Sequence, residues 1–159
     1  MLRASPEYRW LRRLGVEERD IIRAMRLARR AALVRSNDEA VVAVPSQRLG
    51  RLPRERLVSH SDLLALLRGV GHRVAVARVG RLPEEQQVYM VRVARGGAWC
   101  SCPATRLAGD PLCVHRLAAA VVLYRRGRLD LLEWLPAAVA AKKRWRRARR
   151  GRRPPQGGR

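Results

Sequence analysis

"WCSCPATRLAGDPLCVHRLAAA", residues 99–120, contains every cysteine of the chain, Cys100, Cys102 and Cys113, and one of its three histidines, His115. Sulfur confined to one place asks for a local reason. A structural zinc ion takes four ligands at tetrahedral corners, with sulfur about 2.3 Å and imidazole nitrogen about 2.0–2.1 Å away. Cys100 and Cys102 lie two apart at the end of an extended run, so both project from one face of it. Pro103 turns the chain away, and a ten-residue loop with Gly109, Asp110 and Pro111 brings Cys113 and His115 back. Within a regular helix a two-residue spacing separates side chains by about 200°. Cys113 is therefore placed ahead of the next helix and His115 in its first turn, where unpaired N–H groups favour thiolates. Two blander readings compete: buried cysteines acting as small hydrophobes, and a Cys-x-Cys disulfide or redox pair. All three thiols fall within fourteen residues and His115 repeats the spacing, which favours Zn2+ over both. Three thiolates and an imidazole form a closed set, which argues against a catalytic zinc. His60 and His72 have no comparable partners and read as surface or capping residues.

Working outward, residues 5–35 read as helical, with Ser5 as the N-cap, Pro6 at the first helical position and Gly15 as a break. Ile21, Met25, Ala28 and Ala32 recur at helical spacing on one face, and Arg19, Arg23, Arg26 and Arg30 fall opposite. That basic stripe is either a solvated face or a surface for phosphates. "AVVAV" at 40–44 reads as a buried strand ending at Pro45, and Ser59 or Ser61 caps a helix that stops around Gly69 to Gly71. Period-two alternation in "HRVAVARVG" and "QVYMVRVARGG" predicts an antiparallel hairpin leading directly into the cysteines. A helix follows from His115 to about Arg126 and stops at Gly127; a further helical segment is kinked or restarted at Pro136.

CxC, ten residues, then CxH, with a β-hairpin before and a helix after, resembles the SWIM-type zinc finger over roughly residues 73–126. "CVHRLA" adds Ala118 three residues after His115, and this CxHxxA form is similar to the SWIM subunits of Shu-type recombination complexes, which partner RadA- or Rad51-like recombinases. The resemblance implies a β-β-α zinc module that binds DNA or protein. The expected architecture is α+β: a small antiparallel sheet with helices, divided into a helical segment at 1–36, a core at 37–141 containing the finger, and a basic tail at 142–159.

The charge bears on partners. Thirty-five basic residues against 13 acidic ones give +22, a field that attracts polyanions, of which nucleic acid is the most abundant. All the basic residues but Lys142 and Lys143 are arginine; with no Phe, this is the pattern of GC-rich codons, which explains the choice of arginine but not the net charge. Nine of the twelve residues from 142 to 153 are basic and none is acidic, so this segment is expected to be disordered or nascent helix until a polyanion neutralises it. Candidate nucleic-acid contacts are Arg19, Arg23, Arg26, Arg30, Lys142, Lys143, Arg144, Arg146, Arg147, Arg149 and Arg150, with Trp145 either stacking on a base or anchoring the tail. No run is apolar enough to span a membrane, and no secretion signal or phosphate-binding GxxxxGK[ST] loop is seen. These features predict a cytoplasmic, nucleoid- or ribosome-associated protein that is not an enzyme. Three partners follow: DNA or RNA bound without sequence preference, a recombinase-like protein bound as by an adaptor, or the ribosome.

Overall fold

Ser5 and Pro6 start the first helix as their chemistry dictates: the Ser5 hydroxyl accepts from Tyr8 N–H at 3.2 Å, and Pro6 occupies a position where no N–H is needed. The structure, a computed structural model, describes residues 2–45 and 88–152. The helix expected near Ser59 and Ser61, the strand at 72–80, His60, His72 and the final residues 153–159 lie outside the described residues. Helix α1 spans Pro6–Arg13 and α2 spans Glu18–Ala28. Gly15 joins them at φ +88°, a left-handed conformation that only glycine adopts without strain.

The helical reading of 5–35 fails at its end. Residues Ala32–Ser36 form strand β1, paired antiparallel with β2, Ala40–Pro45, with a bulge between Leu33 and Arg35. Ala32 continues the helical spacing, but pairing with a wholly buried strand decides its state. Strand β3, Val88–Ala94, and β4, Gly97–Cys100, complete a four-stranded antiparallel sheet among the described residues, in the order β1-β2-β3-β4. The hairpin that enters the cysteines is therefore β3-β4. It turns at Arg95-Gly96, where Ala94 faces Gly97, whereas the period-two pattern runs 87–97 together as one strand.

One face of the sheet is apolar. Val42 and Val44 on β2, Val91 and Val93 on β3, and Ala98 and Cys100 on β4 are buried together. Helix α3, Pro103–Arg106, is a single turn; α4, Val114–Arg125, packs on β2, β3, β4 and α2. From Leu117 to Leu123 every residue of α4 is buried, which fits its lack of polar residues there. Trp10 of α1 stacks on Tyr124 of α4 with ring centroids 4.5 Å apart, and Glu7 receives a hydrogen bond from Arg125 beside it. Burial works against ionisation of Glu7, yet the Arg125 guanidinium holds its carboxyl below the ordinary value of 4.5. The pair therefore adds stability above that value and loses it as the pH falls through the depressed one. Glu7→Gln is expected to lower the Tm at neutral pH and to converge on the parent as the pH falls below the depressed Glu7 value, flattening the acid side of the Tm–pH curve; an identical acid profile in mutant and parent would refute this.

Gly127, at φ +71°, ends α4 as expected, and Arg128 then binds Ser36 Oγ (2.6 Å) and the Asn37 carbonyl (2.7 Å), tying the β1–β2 turn to this corner. Pro136 proves to be a restart: it sits in the first turn of α5, Leu135–Gly151. The segment from 142 onward, expected to be disordered or nascent helix, is helical through 151, where it continues α5. Three side chains on one stripe hold it down. Lys142 pairs with Asp110, Trp145 donates to the Ala108 carbonyl, and Arg146 pairs with Glu17 and Asp20 at 2.6 Å each. These anchors at i, i+3 and i+4 share one helix face, and they offset the repulsion between like charges along the helix.

Candidate metal centre

Cys100 ends β4 on the face that points into the core, and the pairing runs one residue further: Ser101 N–H reaches the Met90 carbonyl and Met90 N–H reaches Ser101 Oγ. Cys102 then caps α3, with Pro103 in the first helical turn. The return loop is closed by its own bonds. Asp110 N–H donates to the Ala104 carbonyl at 3.0 Å, Gly109 takes φ +62°, and Asp110 Oδ1 accepts Leu112 N–H at 3.0 Å. Cys113 is the N-cap of α4, its sulfur accepting Arg116 N–H at 3.4 Å, and His115 lies in the first turn. The two-residue spacing thus places both groups as the sequence requires.

Each of the four residues is buried, and their ligating atoms all lie within 4.8 Å of one another. Sulfurs about 2.3 Å from a tetrahedral ion are about 3.7 Å apart, so contraction of about 1 Å at most would seat one ion. His115 gives an independent test of fit. It is 7% exposed, neither ring nitrogen has a hydrogen-bond partner, and Tyr89 packs its ring at 4.5 Å. A buried imidazole that faces the Cys102 and Cys113 sulfurs without a well-formed hydrogen bond is costly; coordination supplies the missing interaction. Three soft sulfurs with one imidazole suit zinc. The cluster could hold a metal ion, and its donor set fits zinc.

The protons on these groups are unequally shared. Hydrogen bonds to Cys102 and Cys113, reinforced by burial, push the Cys100 thiol up, while the bond from Cys100 pulls Cys102 far down toward thiolate. Burial opposes charge on His115, but Cys102 and Cys113 outweigh it and push its pKa up to about 9. Thr105 Oγ1, 3.5 Å from Cys102 Sγ and hydrogen-bonded to it, supports the ligand from α3. Neither Thr105 nor Asp110 stood out in the sequence; Gly-Asp-Pro signals a turn, and nothing local marks Asp110 as the partner of Lys142.

The candidate nucleic-acid residues divide by environment. Arg19, Arg23 and Arg26 are exposed along α2 and Arg30 in the turn that follows it, with Arg19 paired to Glu17 at 3.1 Å. Lys143, Arg144, Arg147, Arg149 and Arg150 are exposed on α5. Lys142 and Arg146 face inward in their ion pairs, and Trp145 lies half-buried with Lys142 and Arg149 over its ring. Of its two readings, the anchor is what the contacts describe. The fold brings Arg19 to the α5 cations around one shallow concavity. Among the described residues no helix is long and apolar enough to cross a membrane. No protein-family model matches the chain, and no curated protein or solved structure matches it.

Proposed function

We propose that this protein is a zinc-stabilised, SWIM-type module that binds nucleic acid through arginine-covered helices with little preference for sequence. Strand pair, CxC, loop, CxH and helix follow one another in the SWIM order, which supports the family reading. The observation that carries the binding reading is the +22 charge combined with exposed arginines on two adjoining helices, α2 and α5. The zinc is structural, since four protein donors fill a tetrahedral shell. Ala118 is fully buried in the packing of α4, so that packing alone accounts for the alanine of CxHxxA, and DNA or RNA is favoured over a recombinase as the partner.

Two measurements test the proposal. Elemental analysis of tag-free protein is expected to find one zinc per chain; a metal-free, folded protein would remove the structural centre. Titration of duplex DNA and of single-stranded RNA at several salt concentrations is expected to give a slope of log K against log salt of about −0.9 (duplex) or −0.7 (single strand) per phosphate contacted. A slope near zero would refute nucleic-acid binding, and a stoichiometric protein partner retained after nuclease and high salt would replace it with the adaptor reading.

A further inference from the structure

The concavity where α5 crosses the amino end of α2 is lined by Arg19, Lys142, Trp145, Arg146, Arg149 and Arg150 together with Asp110. Its cations are not equivalent. Lys142 and Arg146 are committed to carboxylates and fix the wall, and Arg19 shares Glu17 from an exposed position. Arg149 and Arg150 make no ion pair within 4 Å among the described residues, although the charge of Arg150 helps hold the Glu17 carboxyl low; Arg149 lies over the Trp145 ring at 4.8 Å, which orients its guanidinium plane. A fork of donors held in position, on a surface already rich in positive charge, matches phosphate oxygens better than it matches water. From Lys142 to Arg150 the helix rises about 12 Å, the length of three to four nucleotides of one strand at about 3.4 Å each.

We propose that this concavity is the principal phosphate-binding site of the protein, with Arg149 and Arg150 contacting successive phosphodiesters of a nucleic-acid strand and Arg19 closing over them from α2. This rests on the nucleic-acid reading above and localises it. The site lies on α5, outside the β-β-α module. Its floor nevertheless depends on the metal loop, because Trp145 and Lys142 hold Ala108 and Asp110 of that loop.

The test compares two variants of equal charge. Arg149→Gln/Arg150→Gln alters the concavity, and Arg35→Gln/Arg95→Gln removes two exposed arginines elsewhere, one from β1 and one from the β3–β4 turn. Binding of fluorescein-labelled oligo-dT to the zinc-loaded full chain is read by anisotropy across salt concentrations. The concavity variant is expected to lose roughly tenfold in affinity and to flatten the salt slope by about 1.4, two contacts' worth for a single strand; the Arg35→Gln/Arg95→Gln variant should stay within about threefold. Arg149→Lys/Arg150→Lys keeps the charge without the fork and is expected to fall between parent and Gln variant; it also serves if the Gln variant is unstable. Equal losses in both charge-matched variants would overturn the site while leaving general nucleic-acid binding intact. Absence of salt-dependent binding by the parent would remove the underlying reading instead. Competition by polyglutamate as strong as by unlabelled oligo-dT would show that the concavity takes acidic protein segments, and would also overturn the proposal.

Discussion

Stripping zinc from the loaded protein with excess chelator is expected to release the 101–113 loop and the start of α4, and with them the hold on α5. Structural zinc contributes an apparent 10–16 kcal/mol in small zinc domains, comparable to the entire 5–15 kcal/mol stability of an ordinary domain. The layer formed by Leu11, Ile21, Met25 and Leu123 is made without the metal, so α1 and α2 are expected to retain more structure than α5. Far-UV circular dichroism and thermal melting read this directly. Two substitutions at Cys113 then isolate the cause. Serine keeps an oxygen able to accept Arg116 N–H as a helix cap, whereas alanine loses both cap and ligand; the cap alone is worth about 1 kcal/mol. Both variants are expected to melt far below the parent, and close to one another. A serine variant that melts like the parent would mean that capping, not metal, is the role of Cys113. An unchanged melting curve after verified loss of zinc would refute the structural centre.

Replacing Asp110 by alanine, or Lys142 by methionine, is expected to destabilise the zinc-loaded protein by about 3 kcal/mol each, since either change strands a partly buried charge. The side chains are 9% and 14% exposed, so neither ion recovers full hydration where it stands. Asp110 also accepts Leu112 N–H, just ahead of the ligand Cys113, and alanine forfeits that bond too. Asp110→Asn preserves the acceptor and removes only the charge, so it should cost less than alanine. The double variant Asp110→Asn/Lys142→Met is expected to cost clearly less than the sum of its parts, because a removed pair leaves no orphan. Denaturant unfolding gives all four corners of the cycle. Single variants within about 0.5 kcal/mol of the parent, the range of ordinary surface changes, would show that the pair contributes nothing to holding α5.

How far the sequence could be read depends on the range of the interactions concerned. The four candidate metal ligands were legible because a coordinating set is encoded in spacing: CxC on a strand end, a loop with turn residues, and CxH at a helix start. Ser5-Pro6, Gly127 and Pro136 were legible for the same reason, since caps and breaks act within a few residues. Strand β1 was not, because Ala32 and Leu33 become strand only through pairing with Val42 and Ala43 across the turn. The split of β3 from β4 rested on a two-residue turn hidden in "ARGGA". The helix through 142–151 was the least accessible. Its local composition leaves disorder and nascent helix both open, and what holds the helix is far away in sequence, at Asp110, Glu17 and Asp20.

The alanines at 118, 119 and 120, each fully enclosed between the strands and α2, set limits on redesign and drift that the abundant surface arginines do not. An added methylene in a filled interior costs typically 1–3 kcal/mol; a leucine at any of these positions would wedge the layers apart, whereas an exposed arginine can be exchanged at little cost to folding. The chain's capacity to vary is thus inverted relative to its composition: its many solvated arginines are replaceable, apart from those such as Arg128 and Arg146 that join elements, and its small buried alanines are the fixed gauge of the molecule.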